Sequence, residues 1–560
     1  MIPKVLCVCF ISIYLSTRLT LQVSLPASPD YIGAVVEYNP VRSDYKNATE
    51  ITNENTKNYV TIIKIASENE VDIIVFPENG LLVSGLSLGN RSNYLHHSSY
   101  LPRPEELKVP CHDASSNVME AVKAISCAAL HRRIYVVINV REKEKCTGAN
   151  CSKDGHNLYN TNVVFDREGR LIAKYRKWNL FGEKEMNVTA KPELSTFQTD
   201  FGITFGQFIC FDILFQTPAL KLITEKKITD IVFSSHWFSE LPYLTANAVQ
   251  TGWSYINDVN FLGSGFNEPS TGSGGSGIYS AKNGHLARVW SEKQTNALII
   301  TKIPKIKHGS QKRSINPEDT KILYLTPAQI STNPSNGSKT QQVLKMDDTT
   351  AYTTQLLQPK NGTFNVTLCN YGHCCNFTTN TEHREDLIKG AAKYYRYRFA
   401  VFNGVRSFSD VRTGGVEICS IIACLDDNPT SCSKRFDSNT IIVHPTTFKS
   451  IVISSKVQDV PTVLRMPLNI NTELHPLNVS DFTFTSDKIN ATHVNLKYSL
   501  IKPRKDLMTF AIYGRNFTAD GLPKTVNSSA GLFPHISLLI IMVILGITSA
   551  YEISLFPSKF

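Results

Sequence analysis

Between residues 31 and 304, short apolar runs alternate with stretches of helical spacing. Residues 32–38 (IGAVVEY), 71–78 (VDIIVFPE) and 134–140 (IYVVINV) read as strands. Between them, Tyr59, Ile62, Ile63 and Ala66, and then Val118, Val122, Ile125 and Ala129, repeat at the interval of one helix face. Residues 162–175 place two β-rich runs around a glycine-containing turn, which predicts a hairpin. The run 201–211 (FGITFGQFICF), a helix starting at 218, a strand over 229–235, a helix over about 242–256 and a strand over 259–265 follow. Strands apolar on both faces are buried on both faces, so the pattern predicts an α/β fold in which helices cover a sheet. In such folds, sites gather where strands end.

After Ile303 the texture changes. Residues 305–350 are rich in Ser, Asn, Lys and Pro and read as a linker. Beyond them helical periodicity nearly vanishes. The runs at 362–370, 393–405, 415–425, 439–445, 493–501 and 507–514 predict a smaller β-rich domain over 351–525. A chain of 560 residues exceeds what one core usually holds, which agrees with two domains, 30–304 and 351–525.

The ends have their own signature. Lys4 followed by the apolar run 5–15 has the layout of a secretory signal peptide, residues 1–22. At the other end, small residues at 527–531 precede an apolar stretch from Ile536 to Ala550, which suits a glycosylphosphatidylinositol anchor signal over 528–560. A spanning helix, which needs about 20 apolar residues, is the alternative. These features predict a protein held by a lipid anchor on the extracellular face of the cell membrane, or one secreted. Sequons at Asn47, Asn90, Asn187, Asn336, Asn361, Asn365, Asn376, Asn478, Asn490 and Asn516 agree with that compartment as glycosylation sites. The net charge of +10 is spread out and has no aromatic-interleaved basic groove, which argues against a nucleic-acid partner.

Cysteine spacing isolates one thiol. Cys111 with Cys127 and Cys146 with Cys151 lie near each other in polar segments, and Cys369, Cys374, Cys375, Cys419, Cys424 and Cys432 crowd the second half. Those ten could form five bridges in an oxidising compartment. Cys210 stands alone inside an apolar run, where a buried structural cysteine is the ordinary reading.

Three residues have neighbourhoods that suit chemistry. Glu78 ends a buried strand, where partial desolvation makes a carboxylate a better base. Lys177, in KYRKWNLF, could stabilise negative charge on a tetrahedral intermediate. Cys210 lies where a strand ends and a helix is expected, so that helix amides would lower its thiol pKa and the Phe211 amide could serve an oxyanion.

The order Glu, Lys, Cys, each at the end of a buried β-run, resembles the nitrilase superfamily. The strings FPEN, NVVFDREGRLIAKYRKWNLF, FGQFICFDILFQTPAL, SHWFSELPYL and TGSGGSGIY look like its vanin and biotinidase branch. The resemblance covers roughly residues 30–525. It implies an αββα sandwich followed by a β-rich, disulfide-containing domain, with Cys210 as nucleophile, Glu78 as general base and acid and Lys177 beside the oxyanion. It also implies Glu183 as a second acid, with Glu185 close by, and Trp237 in the substrate pocket. No metal or organic cofactor is implied. The implied partner is a small-molecule amide, pantetheine first and a biotinyl-lysine amide second, and the protein would be a monomer or homodimer. A catalytically silent surface binding protein with the same fold is the reading from another class. Two departures from the vanin pattern stand out: Asn79 where vanins tend to carry an acid, and Ser234–Ser235 where they have a proline nearby.

Overall fold

The computed structural model describes residues 24–526 apart from 43–46, 82–89, 116, 150, 307–316, 334–342, 391 and 438. The signal peptide, the anchor segment and Asn336 therefore lie outside the described residues.

Strands β1 (Asp30–Glu37), β2 (Ile73–Val75), β3 (Tyr135–Lys145), β4 (His156–Phe165) and β5 (Leu171–Arg176) belong to a first sheet. Strands β6 (Thr196–Gln198), β7 (Thr204–Ile209) and β8 (Asp230–Ser235) begin a second, and β9 (Glu240–Leu241) stands apart. The second sheet continues with β10 (Asn260–Gly265), β11 (Ser276–Ser280) and β12 (His285–Val289), whereas β13 (Ala297–Pro304) and β14 (Thr320–Tyr324) return to the first. The orders are β14-β13-β1-β2-β3-β4-β5 and β12-β11-β10-β8-β7-β6. At the centre of each sheet the strands are parallel, β1-β2-β3 and β7-β8-β10, and their side chains are apolar on both faces.

Period-2 alternation divides those faces. Along β1, Ala34 and Val36 point to a core shared with helices α1 (Ala48–Glu68) and α3 (Glu120–Arg132), where they meet Ile62, Ile63, Ile125 and Ala129. Val35 points the other way, into the layer between the sheets with Ile73, Val137, Val232 and Leu262. The result is helices, sheet, sheet, helices, the αββα sandwich. Asn47 starts α1 with a reciprocal capping box to Glu50, which satisfies two orphan amides.

The second sheet is covered by α5 (Ala246–Asn257), whose Trp253 packs on Phe208 and Phe261. The far side of α5 meets the second domain. A Cβ on Gly252 would stand 2.7 Å from both the Leu468 side chain and the Pro467 carbonyl, so a glycine sits where the two domains approach closely.

The second domain faces two antiparallel five-stranded sheets against each other. One holds strands Thr353–Leu357, Arg396–Phe408, Arg412–Cys424, Leu507–Asn516 and Val463–Asn471. The other holds Gly362–Asn370, His373–His383, Thr446–Gln458, His493–Leu500 and Phe482–Lys488. The bridges are Cys111–Cys127, Cys146–Cys151, Cys369–Cys374, Cys375–Cys419 and Cys424–Cys432. Cys375–Cys419 joins the two sheets, and Cys210 is the free thiol among the described residues. Among those residues one His/Cys/Asp/Glu cluster has metal-ligand spacing, His373 with Cys375 and Cys419, and its two sulfurs are already bonded to each other.

Some elements differ from the sequence reading. Residues 305–350, read as a linker, contain β14 on the edge of the first sheet and the pair Lys345–Met346, which runs parallel to β9. Intrinsically polar edge strands show no apolar alternation, which is why they read as loop. The run 439–445 is not a strand: Ile442 makes a single bridge to Lys393, and the ladder begins at Thr446. The helix expected from about 242 starts at Ala246, after Pro242.

Candidate active site

Glu78, Lys177 and Cys210 come from three different strand ends and meet at one cavity of about 380 Å3. Each is buried, at 1%, 2% and 4% exposure. Lys177 follows β5, and its Nζ donates to an oxygen of Glu78 at 2.7 Å and to an oxygen of Glu183 at 2.7 Å. Of the two nearby acids, Glu183 is the one whose carboxylate pairs with Lys177. Glu185 lines the cavity and uses its backbone carbonyl to accept from Arg91.

β7 ends at Ile209, and Cys210 opens a short helical turn with φ of +48°, a left-handed conformation that presents its side chain away from the strand. Asp212 holds this elbow. It accepts from the Ile209 amide at 3.1 Å, the Tyr175 hydroxyl at 2.8 Å, and the amide and side chain of Asn179 at 2.9 and 2.8 Å. Burial still pushes its carboxyl up to about 6. The turn is 3-10 over Cys210–Leu214, and the regular α-helix begins only at Lys221.

The electrostatics correct one expectation. Helix amides were expected to lower the Cys210 pKa, but burial, followed by the nearby Glu78 charge, pushes the thiol well above its ordinary range. Lys177 and the His236 carbonyl pull the other way without prevailing. Cys210 is thus held as a thiol, and its S–H donates to the His236 carbonyl at 3.5 Å. Burial opposes the charge on Lys177, yet Glu183, Glu78 and Cys210 outweigh it and hold the ammonium well above the usual lysine range. Burial likewise opposes the Glu183 carboxylate, and Lys177 prevails to hold it below the usual value.

Three residues that the sequence reading passed over complete the arrangement. The His236 amide donates to the other oxygen of Glu78 at 2.9 Å. Its ring stacks on Phe266 at 3.9 Å, and burial, with Arg42 and Lys177, lowers its pKa to about 3, so it is neutral. Asn160 on β4 donates to Glu78 at 2.6 Å, and Asn139 on β3 donates to Asn160 at 2.7 Å. The signal was there for Asn139, a polar residue inside the apolar run 134–140, where a buried amide must have partners, whereas Asn160 lies in the mixed run YNTN and does not stand out.

The departures at 79 and 234 also have structural roles. Asn79 takes a φ of +61°, which asparagine tolerates, and its amide donates to Asn139 at 3.0 Å. Ser234 donates to the Phe76 carbonyl at 2.8 Å and so ties β8 to the segment that delivers Glu78.

Trp237 does not line the large cavity. It borders a second, smaller one of about 30 Å3 beside Cys210, together with Phe211, Leu244 and, from the second domain, Phe408. Its indole donates to the Leu244 carbonyl at 2.8 Å. Phe211 packs its ring on Phe181 and Phe215. Of the sequon asparagines, Asn47, Asn90, Asn361, Asn365, Asn376, Asn478 and Asn490 are exposed, while Asn187 and Asn516 are half-buried.

A buried carboxylate, ammonium and thiol converging at one cavity form the set required for acyl transfer through a covalent thioester. The sequence matches a carbon-nitrogen hydrolase model over residues 34–253 and a vanin C-terminal domain model over residues 341–520. It is 34% identical to vanin-like protein 1 of Drosophila melanogaster, over 89% of this chain and 87% of that protein. The chain belongs to the vanin-like family. It is accordingly a hydrolase of carbon–nitrogen bonds in non-peptide amides. Relatives named pantetheinase include those of Homo sapiens, 28% identical over 89% of each chain, and Mus musculus, 29% identical over 70% of this chain and 72% of that one. Its first half is also similar to Nit3 of Saccharomyces cerevisiae, at 19% identity and a TM-score of 0.38, over 50% of this chain and 93% of that structure.

Proposed function

We propose that this vanin-like chain hydrolyses pantetheine to pantothenate and cysteamine. The observation that carries the reading is the meeting of Glu78, Lys177 and Cys210 in one cavity walled by Asn139, Arg141, Asn160 and Glu183. Such a lining suits an acyl group bearing hydroxyls and an amide, as the pantothenoyl group does, better than the unbroken alkyl chain that adjoins the carbonyl of a biotinyl group. The relatives named pantetheinase support the same choice.

In this mechanism Glu78 takes the proton of the Cys210 thiol, and the thiolate attacks the amide carbon. Lys177 and the Phe211 amide stabilise the oxyanion. Collapse of the tetrahedral intermediate expels the amine, which takes its proton from Glu78, and leaves a thioester on Cys210. Glu78 then removes a proton from water, the resulting hydroxide attacks the thioester, and the acid departs as the thiol reforms. Glu183 keeps Lys177 charged and in place. No step calls for a metal or organic cofactor.

The sequence layout supports work at the outer cell surface under a lipid anchor, with the sequon asparagines glycosylated. Among the described residues no helix is long and apolar enough to cross a membrane. Release from intact cells by a phosphatidylinositol-specific phospholipase tests the anchor; retention after treatment would remove it. The test of activity is amine release from pantetheine against biotinyl-lysine amide by the purified chain, with Cys210→Ser as the blank. Preference for pantetheine is expected, and preference for the biotinyl amide would overturn the substrate assignment.

A further inference from the structure

Asn160 occupies a position that the reaction scheme above does not use. Its side-chain nitrogen donates to Glu78 at 2.6 Å and to Glu183 at 3.1 Å, one N–H for each carboxylate. In both acids the accepting oxygen is the one that also accepts from Lys177. The four groups thus close a ring of carboxylate, ammonium, carboxylate and amide. The amide cannot flip without breaking this ring, because Asn139 donates to the Asn160 carbonyl oxygen at 2.7 Å. Asn139 is itself held from the other side, where its oxygen accepts from the Asn79 amide. The backbone adds a further tie, since the Lys177 amide donates to the Asn160 carbonyl at 2.8 Å.

We propose that Asn160 is a positioning residue that stops Glu78 and Glu183 from trapping a shared proton, so that Glu78 stands open to the proton of Cys210. Two carboxylates that approach one another in a buried site ordinarily hold one proton between them, because both cannot stay charged. One ammonium offsets one of the two charges. The two N–H groups of Asn160 stabilise the charged form of each acid, as donors to a carboxylate do. Glu78 is then free to take the proton of the Cys210 thiol outside the ring. The proposal rests on Glu78 being the base, but it does not depend on which amide is the substrate.

Of the other titratable groups near this ring, Asp212 faces Lys177 from the Cys210 elbow and is pushed by burial up to about 6. His236 is neutral, with its pKa lowered to about 3 by burial. Arg141, opposite Asn160 in the β3–β4 ladder, is lowered by burial only to about 10 and stays cationic. Lys184, Glu185 and Tyr94 line the outer part of the same cavity. Asp212 is present in the full chain and in every Asn160 variant, so the shift of the acid-side midpoint between them is what reads the shared proton.

The experiment follows the rate of Cys210 alkylation by iodoacetamide, and of pantetheine turnover, from pH 5 to 9 in the full chain, Asn160→Ala and Asn160→Asp. In Asn160→Ala the acid-side midpoint of both profiles should move up by about one pH unit, the size expected for loss of a hydrogen bond to a charged group. Asn160→Asp, which adds a third carboxylate, should move it further, and raising the pH should restore much of the lost rate in Asn160→Ala. A drop that is uniform across the pH range, with the midpoint unmoved in a variant that melts like the parent, would show a merely structural role and overturn the proposal. An unfolded Asn160→Ala leaves Asn160→Asp and Asn139→Ala, which releases the Asn160 carbonyl, to decide by the same shift; unmoved midpoints in these also overturn it. If the parent fails to cleave pantetheine yet the alkylation midpoint shifts, the substrate assignment falls and the role of Asn160 stands.

Discussion

The guanidinium of Arg515, in the second domain, donates from Nε to the carbonyl of Leu214 at 2.9 Å. Leu214 ends the turn that Cys210 begins. Arg515 is 1% exposed, lies over the rings of Phe215 and Phe408, and pairs with Asp520 at 2.6 Å. Arg412 adds a second hold: it donates to Asn179 at 2.6 Å, and Asn179 in turn donates to Asp212. The β-rich domain thereby grips the elbow of the nucleophile from outside.

Arg515→Met should for this reason lower kcat, by roughly 10- to 100-fold, because a small displacement of a reacting group is costly. Thermal unfolding should show a loss of about 3 kcal/mol, since a buried charge pair is broken from one side. A variant that melts early but keeps its kcat would show that the second domain supports the fold without holding the elbow.

Cys210→Ser and Lys177→Ala probe separate steps. Either change should reduce turnover by at least ~100-fold, the usual cost of losing one stabiliser of a developing oxyanion or the nucleophile itself. The two differ in stability. Cys210→Ser exchanges one neutral group for another, whereas Lys177→Ala strips the cation from two buried carboxylates and should cost about 3 kcal/mol or more. Amine release paired with melting curves checks both. Turnover retained in folded Lys177→Ala would remove Lys177 from the mechanism.

The bridges should be unequal. Cys375–Cys419 closes a separation of 44 residues and joins the two facing sheets, while Cys369–Cys374 closes one of 5 within a hairpin. Loop-closure entropy gives roughly 4 kcal/mol for the longer loop and about 2 kcal/mol for the shorter. Paired Cys→Ser variants compared by chemical unfolding test the order; a larger loss from the hairpin bridge would contradict it.

The layers of the first domain were legible because strands buried on both faces, such as β1 and β8, leave unbroken apolar runs, and because α1 repeats its buried residues on one face. Glu78, Lys177 and Cys210 were legible only in combination, since each alone resembles a common structural residue. The elbow conformation of Cys210 was not legible, because a φ of +48° depends on Asp212 and on contacts with residues hundreds of positions away. Nor was the direction of the thiol pKa: the sequence shows a neighbouring helix start but not the depth of burial, and burial prevailed. In the second domain the edge strand at 482–488 and the strand at 373–383, second from the other edge, carry many polar, exposed positions and were missed, while the central run 415–425 was plain.

Glu37 gives the protein a stability profile that should fall with rising pH. It is fully buried between β1 and β11, where Ser276 donates to it at 2.6 Å and Asn267 at 2.8 Å, yet burial outweighs these bonds and raises its pKa from 4.5 to about 7. Between those two values the folded chain binds more proton at this site than the unfolded chain does. Stability from Glu37 is therefore fully present below about pH 4.5 and declines as pH rises toward 7. At 1.36 kcal/mol for each unit, the whole decline amounts to roughly 3 kcal/mol. Glu37→Gln cannot ionise; its one oxygen keeps the acceptor for Asn267 and its NH2 faces the Ser276 hydroxyl, which can accept, so its unfolding free energy should be flatter than the parent's from pH 5 to 7.5 and higher at the upper end. Parallel curves for the two proteins over that range would show that the Glu37 carboxylate is charged in the folded state at no cost, contrary to its burial.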